Sequence, residues 1–390
     1  MEAAKRLQGV GEYYFSTKLR EIDALNQAGK QVVNLGIGSP DQPPHPDVLK
    51  VLQQEAAKPT VHAYQSYKGS PLLRQAVADW YKAHYAVSLD VNTEVLPLLG
   101  SKEGIMHICM TYLNPGDGVL VPNPGYPTYR SAVALSGGHC IDYNLTEANA
   151  WLPDFEAIER QDLTGVKLMF INYPHMPTGQ LPTPQLFTQA VAFAKKHHIL
   201  LVHDNPYSFI LNDAPASILG AEGAIDVAVE LNSLSKSHNM AGWRVGVLCG
   251  SETVINQVLR FKSNMDSGMF LPVQLAAAKA LSLGADWYQQ LNTEYALRRQ
   301  MACKLLDALD CTYSPGQVGM FMWAKVPATF ADGYALSDAV LYGANVFITP
   351  GGIFGSQGNG YVRISLCSPV ANIQQSIHRI TNAGIAPAKL

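Results

Sequence analysis

The sequence predicts an α/β protein built on a mostly parallel sheet, joined to a smaller α+β domain. Three observations carry that prediction. Short β-branched or Leu-rich runs alternate with longer helical patterns from about residue 94 to 250, the arrangement of βα units stacked side by side. After about residue 285 the alternation gives way to a long charged helix and then to a mixture of strand and helix patterns. The chain has 390 residues, 47% of them hydrophobic, enough to fill two cores rather than one.

Taken in order, the predicted strands of the large domain are Val95 to Leu99, Val119 to Pro122, Lys167 to Asn172, Ile199 to Asp204, Val227 to Leu231 and Val245 to Cys249. Helical segments such as Ser101 to Tyr112 and Pro184 to His197 lie between them, with apolar residues recurring at three and four and proline near the start. The smaller domain reads as a helix from about Asp286 to Leu309, a strand Met320 to Val326, a helix near Ala335 to Tyr342, a strand Tyr361 to Leu366 and a last helix. Residues 48–285 are expected to form the large domain, and 1–47 with 286–390 the small one.

Composition excludes several classes of function. The 28 basic and 31 acidic residues give a net charge of −3 without long runs of either sign, so no nucleic-acid or membrane-surface partner is expected. The N-terminus has no apolar signal-like stretch, and no run approaches the ~20 apolar residues of a bilayer span, which points to the cytoplasm. Six scattered cysteines without a CxxC pair read as reduced thiols, and no metal site is expected. Gly36-Ile37-Gly38 lacks the third glycine of a dinucleotide fingerprint.

The informative stretch is Ser233-Leu234-Ser235-Lys236, followed by Gly242-Trp243-Arg244-Val245-Gly246. A lysine that forms an imine must lose its proton near neutral pH, which a dry site with other positive charge favours. Arg244 supplies such charge, and Ser233, Ser235 and Arg244 together offer donors to one phosphate dianion. Gly100-Ser101-Lys102 opens a helix directly after a strand, where free N–H groups and the helix dipole form an anion cup. Asp204 ends an apolar strand, at the edge where α/β sheets bind ligands. Arg363 lies on an alternating strand with Tyr361 and Ser365 on its face, and an inward arginine wants an anion.

Together these motifs resemble the class I and II aminotransferases, and the likeness runs over almost the whole chain. It implies fold type I with a seven-stranded sheet, pyridoxal 5'-phosphate as cofactor, and Lys236 as the residue that binds it covalently. It further implies phosphate contacts from Ser101, Lys102, Ser233 and Arg244, Tyr126 stacked on the pyridine ring, Asp204 on the ring nitrogen and Tyr207 on the ring hydroxyl. Gly38 and Arg363 would hold the substrate carboxylate, and Tyr64, with Tyr67 as the alternative, would reach the neighbouring subunit's site in a homodimer. The implied reaction moves an amino group between an L-amino acid and a 2-oxo acid such as 2-oxoglutarate by ping-pong kinetics, with Lys236 as proton shuttle. A C–S β-lyase, a decarboxylase or a non-catalytic relative would share many of these residues. One departure stands out. In Asn172-Tyr173-Pro174-His175-Met176-Pro177-Thr178-Gly179, Met176 replaces an asparagine that donates to the ring oxygen, so either Tyr207 acts alone there or Asn172 or His175 assists.

Overall fold

The computed structural model describes residues 2–385. In chain order its strands are β1 (Val33–Asn34), β2 (Val95–Leu98), β3 (Gly118–Asn123), β4 (His139–Asn144), β5 (Val166–Ile171) and β6 (Leu200–Asp204). They continue with β7 (Ala228–Ser233), β8 (Gly246–Gly250), β9 (Phe321–Lys325), β10 (Val346–Phe347), β11 (Thr349–Pro350) and β12 (Tyr361–Ser365). The large sheet has seven strands in the order β2-β8-β7-β6-β5-β3-β4. Only β8 runs against the rest, antiparallel to both β2 and β7. The predicted α/β class therefore holds. The apolar runs named only six of the seven strands, because β4 (His-Cys-Ile-Asp-Tyr-Asn) is a polar edge strand paired on one side alone.

Both faces of the sheet are covered, which is why its central strands read as continuous apolar runs. Along β5, Leu168 and Phe170 point into one core with Ile105 and Ile108 of the helix Ser101–Tyr112. Met169 and Ile171 point into the opposite core with Leu186, Phe187 and Ala190 of the helix Pro184–His197. Local chemistry fixes the ends of that second helix. Thr183 caps it by accepting from the Leu186 amide at 3.2 Å, Pro184 begins it, and His198 ends it in the left-handed conformation at φ 54°.

The C-terminal part is built on the antiparallel sheet β11-β12-β9, with the 24-residue helix Ala285–Ala308 against it. The N-terminal segment joins this part. β1 pairs in parallel with β10, and Ile22 of the helix Tyr14–Gln27 packs with Leu341 and Phe347. A buried guanidinium pins the turn that follows. Arg298, 1% exposed, grips Asp41 through two nitrogens at 2.6 and 3.0 Å and donates to the Leu366 carbonyl. That fork fixes the loop that carries Gly38. Among the described residues no helix is long and apolar enough to cross a membrane.

Candidate active site

The site gathers at the C-terminal edge of the large sheet. Strands β2, β3, β5, β6 and β7 all end there, and each delivers a residue within a few positions of its last: Ser101, Tyr126, Asn172, Asp204 and Lys236. Because β8 runs the other way, its beginning lies at the same edge, and this brings Arg244 to the others. Ser101, Lys102, Tyr126, Asp204, Tyr207, Ser233, Lys236 and Arg244 all line one cavity of about 380 Å³. A second cavity of about 340 Å³, lined by Gly38 and Arg363, shares Tyr126, Met176, Tyr207 and Lys236 with the first. Tyr64 is not drawn in. It is 92% exposed on the surface, and Tyr67 is 46% exposed.

At one end of the first cavity, strand β2 turns into its helix through Gly100, whose φ of 94° suits glycine. A side chain there would strike the Arg244 guanidinium at 2.1 Å, and one at Gly246 would meet the Ser101 amide at 2.6 Å. Two glycines thus keep open a cradle of helix N-terminal amides and guanidinium. Lys102 stands at its border, with its ammonium 4.7 Å from the centre of the Tyr13 ring, and burial and the charge of Arg244 press its pKa down. The Ser233 hydroxyl lies 2.9 Å from Ser235 Oγ and 3.2 Å from the Val245 carbonyl, with one proton to give between them.

At the other end Asp204 is 4% exposed. Tyr129 donates to its Oδ2 at 2.8 Å, while the buried Oδ1 has no partner. Burial pushes the carboxyl up to about 6, against the lowering effects of the Tyr129 hydrogen bond and of neighbouring His203. Between the two ends, the Lys236 ammonium is enclosed and donates to the Gly38 carbonyl, though part of the residue faces the cavity. Burial lowers its pKa, and the positive charges of Arg363 and Arg244 lower it further, while Cys367 opposes them.

Arg363 is 4% exposed and lies 3.9 Å from the ring centre of Phe321. It donates to the Gly36 carbonyl at 2.7 Å and to the Met176 sulfur at 3.3 Å, and its Nε has no partner. No carboxylate pairs with it among the described residues, and burial pushes its pKa down to about 10. A guanidinium held this way has fork donors to spare for an incoming anion.

The open question at Met176 narrows. Asn172 is committed, donating to the Asp204 carbonyl and accepting the Met176 amide at 2.7 Å. His175 is buried and bonds Thr178 at 2.8 Å, and burial lowers its pKa to about 3. The His175 Nε2 has no partner, and Tyr126 and Tyr207 both line the two cavities. Sequence reasoning named Gly100 and Gly246 within their motifs but gave Tyr129 no role. Tyr129 lies one helical turn past Tyr126, and only the fold aims its hydroxyl at a carboxylate 75 positions away.

These features fit a pyridoxal phosphate group. The lone Asp204 Oδ1 suits a protonated ring nitrogen, the glycine-lined cradle suits a phosphate, and an enclosed lysine of lowered pKa stands between them. Comparison with known proteins agrees. The model of the family "Aminotransferase class I and II" matches residues 30–380. LL-diaminopimelate aminotransferases of Halothermothrix orenii and Moorella thermoacetica are 38% and 40% identical, over 99% of both chains for the first and 97% of this chain and 98% of the other for the second. Substrate-bound BacF of Bacillus subtilis superposes with a TM-score of 0.94 at 34% identity, over 100% of both chains. The chain therefore belongs to the class I and II aminotransferases, and it is a pyridoxal-phosphate-dependent aminotransferase of fold type I.

Proposed function

We propose that the enzyme moves an amino group between an L-amino acid and a 2-oxo acid, with 2-oxoglutarate as acceptor, in two half-reactions at one site. One observation carries the proposal: the Lys236 amine, the free oxygen of Asp204 and the guanidinium of Arg363 border two adjoining cavities. When bound, the cofactor supplies an electron sink and carries the amino group between the half-reactions. Asp204 Oδ1 would accept from the proton-bearing ring nitrogen, a contact that favours its ionised form. Ser101, Lys102, Ser233 and Arg244 would hold the phosphate, with Tyr126 against the ring and Tyr207 as donor to its hydroxyl. Arg363 takes the substrate α-carboxylate as a fork, which fixes the α-hydrogen toward Lys236. Lys236 Nζ, whose pKa is lowered by burial and by two arginines, then takes the proton from that carbon and returns it.

The same reading makes the enzyme a homodimer in which Tyr64 reaches the other subunit's phosphate. Its support is an exposed apolar patch. Tyr64, Tyr67, Met265 and Phe270 are 41 to 92% exposed, and the loop of Met265 packs on the Tyr64 segment through Gly268. Mixing Lys236→Ala chains with Tyr64→Ala chains is expected to restore activity that neither has alone.

Holoenzyme given one amino acid at a time tests the reaction, with LL-diaminopimelate, the substrate in the relatives' names, included in the panel. The cofactor's visible absorbance is expected to fall with the amino acid alone and to return with 2-oxoglutarate. Release of ammonia with pyruvate would assign a lyase instead.

A further inference from the structure

The cavity lined by Arg363 is the space open to a substrate side chain once that guanidinium takes the α-carboxylate. Its walls are mostly carbon: Phe15, Leu19, Ile37, Phe321, Phe354 and the Met176 thioether line it. Three of these are rings gathered around Arg363, with centres 3.9 Å (Phe321), 4.7 Å (Phe354) and 5.6 Å (Phe15) from its central carbon. The polar groups left over are the hydroxyls of Tyr13, Ser16, Tyr126 and Tyr207. Among the described residues, no charged side chain other than Arg363 and Lys236 lines this space, and both are already engaged by the proposed chemistry. Lys102 lines the other cavity, with its ammonium against the Tyr13 ring.

We infer that the amino donor is an aromatic amino acid of the phenylalanine and tyrosine class. The inference rests on the aminotransferase reading for its reaction, but not for its binding. A side chain ending in both an ammonium and a carboxylate, as in diaminopimelate, would find no counter-charge of its own among this chain's residues lining the cavity beyond Arg363 and Lys236, and would meet ring faces instead, a desolvation penalty. A benzyl group instead meets Phe15, Phe321 and Phe354, and each well-placed ring pair adds about 2- to 10-fold in affinity beyond the area buried. A small donor such as alanine reaches none of them and forgoes roughly 10- to 200-fold for each methylene's worth of contact, to the order of magnitude set by hydrophobic pockets.

Two measurements on the holoenzyme test this. The first is calorimetric binding of unreactive carboxylates, which needs no turnover. 3-Phenylpropanoate is expected to bind about 100-fold more tightly than pimelate or propanoate, and equal or reversed affinities would overturn the inference. The second is the half-reaction with single amino acids in wild type and Phe15→Ala. The substitution is expected to lower kcat/KM for phenylalanine about 10- to 100-fold more than for alanine, chiefly through KM. An equal loss for alanine, or LL-diaminopimelate as the preferred wild-type donor, would overturn it. The two readings fail separately. Tight 3-phenylpropanoate binding without turnover of any amino acid removes the reaction and keeps the pocket assignment. Turnover of other amino acids without 3-phenylpropanoate binding does the reverse.

Discussion

Asp204 stores a cost that the cofactor relieves, and replacing it by asparagine makes that cost measurable. In the cofactor-free enzyme its carboxyl ionises near 6 rather than at the ordinary 3.8, because burial outweighs the Tyr129 hydrogen bond. The unfolded chain gives up this proton more readily than the folded one. Stability from this group is therefore full below about pH 4, falls as pH rises, and is lost above about pH 6. Two pH units correspond to about 3 kcal/mol. Unfolding entropy for a chain of this length is about 0.8 kcal/mol per kelvin, so the penalty lowers Tm by about 4 °C. An asparagine side chain carries no charge to desolvate. Scanning fluorimetry of both apoenzymes is expected to place Asp204→Asn about 4 °C above wild type at pH 8, shrinking to about 1 °C near pH 4.5. With pyridoxal phosphate added the order should reverse, since only the carboxylate gains a charged partner at Oδ1. Equal apoenzyme melting temperatures at every pH would refute the argument that burial holds this carboxyl high.

Three further outcomes follow from the geometry. Met176→Asn supplies a donor where a thioether stands, so the pH titration of the cofactor's visible band is expected to shift downward by about one unit, the worth of one hydrogen bond; an unmoved midpoint removes the argument. Gly246→Ala presses a methyl group against the Ser101 amide, and equilibrium dialysis should show pyridoxal phosphate affinity falling about 10- to 100-fold, while Gly242→Ala, with open space around it, changes nothing. Glu230→Gln disturbs a fully buried carboxylate that accepts from Tyr81 and His203 at 2.8 Å, Ser217 at 2.9 Å and the Ile218 amide at 3.1 Å. Its melting temperature is expected to fall by about 4–6 °C, from a loss of about 3–5 kcal/mol.

Much of the fold was legible because its strands are buried on both faces. A run such as Leu168-Met169-Phe170-Ile171 announces a central strand, and a threonine cap followed by proline announces the next helix. Strand β4 was not legible for the converse reason, since an edge strand with exposed His139, Asp142 and Asn144 need not be apolar. The reversed direction of β8 was hidden as well, because hydrophobic patterning carries no sign of direction. Residues in a continuous motif, such as Ser233 to Arg244, could be named from that motif. Tyr129 could not, and neither could the ring walls around Arg363, because Phe15, Phe321 and Phe354 come from three segments that only tertiary packing brings together.

The place of β8 has a consequence for how the chain is made. It sits between β2 and β7, so Val95 to Leu98 have no neighbour on that side until residues 246 to 250 exist. An emerging nascent chain must hold its first large-sheet strand unpaired while roughly 150 residues are added, a separation that raises contact order and slows folding. The cradle of Gly100 and Ser101 is completed by Gly246 and Arg244 in the same event. A chain that stops short of β8 should therefore neither close its sheet nor capture pyridoxal phosphate, so acquisition of the cofactor cannot precede the synthesis of β8.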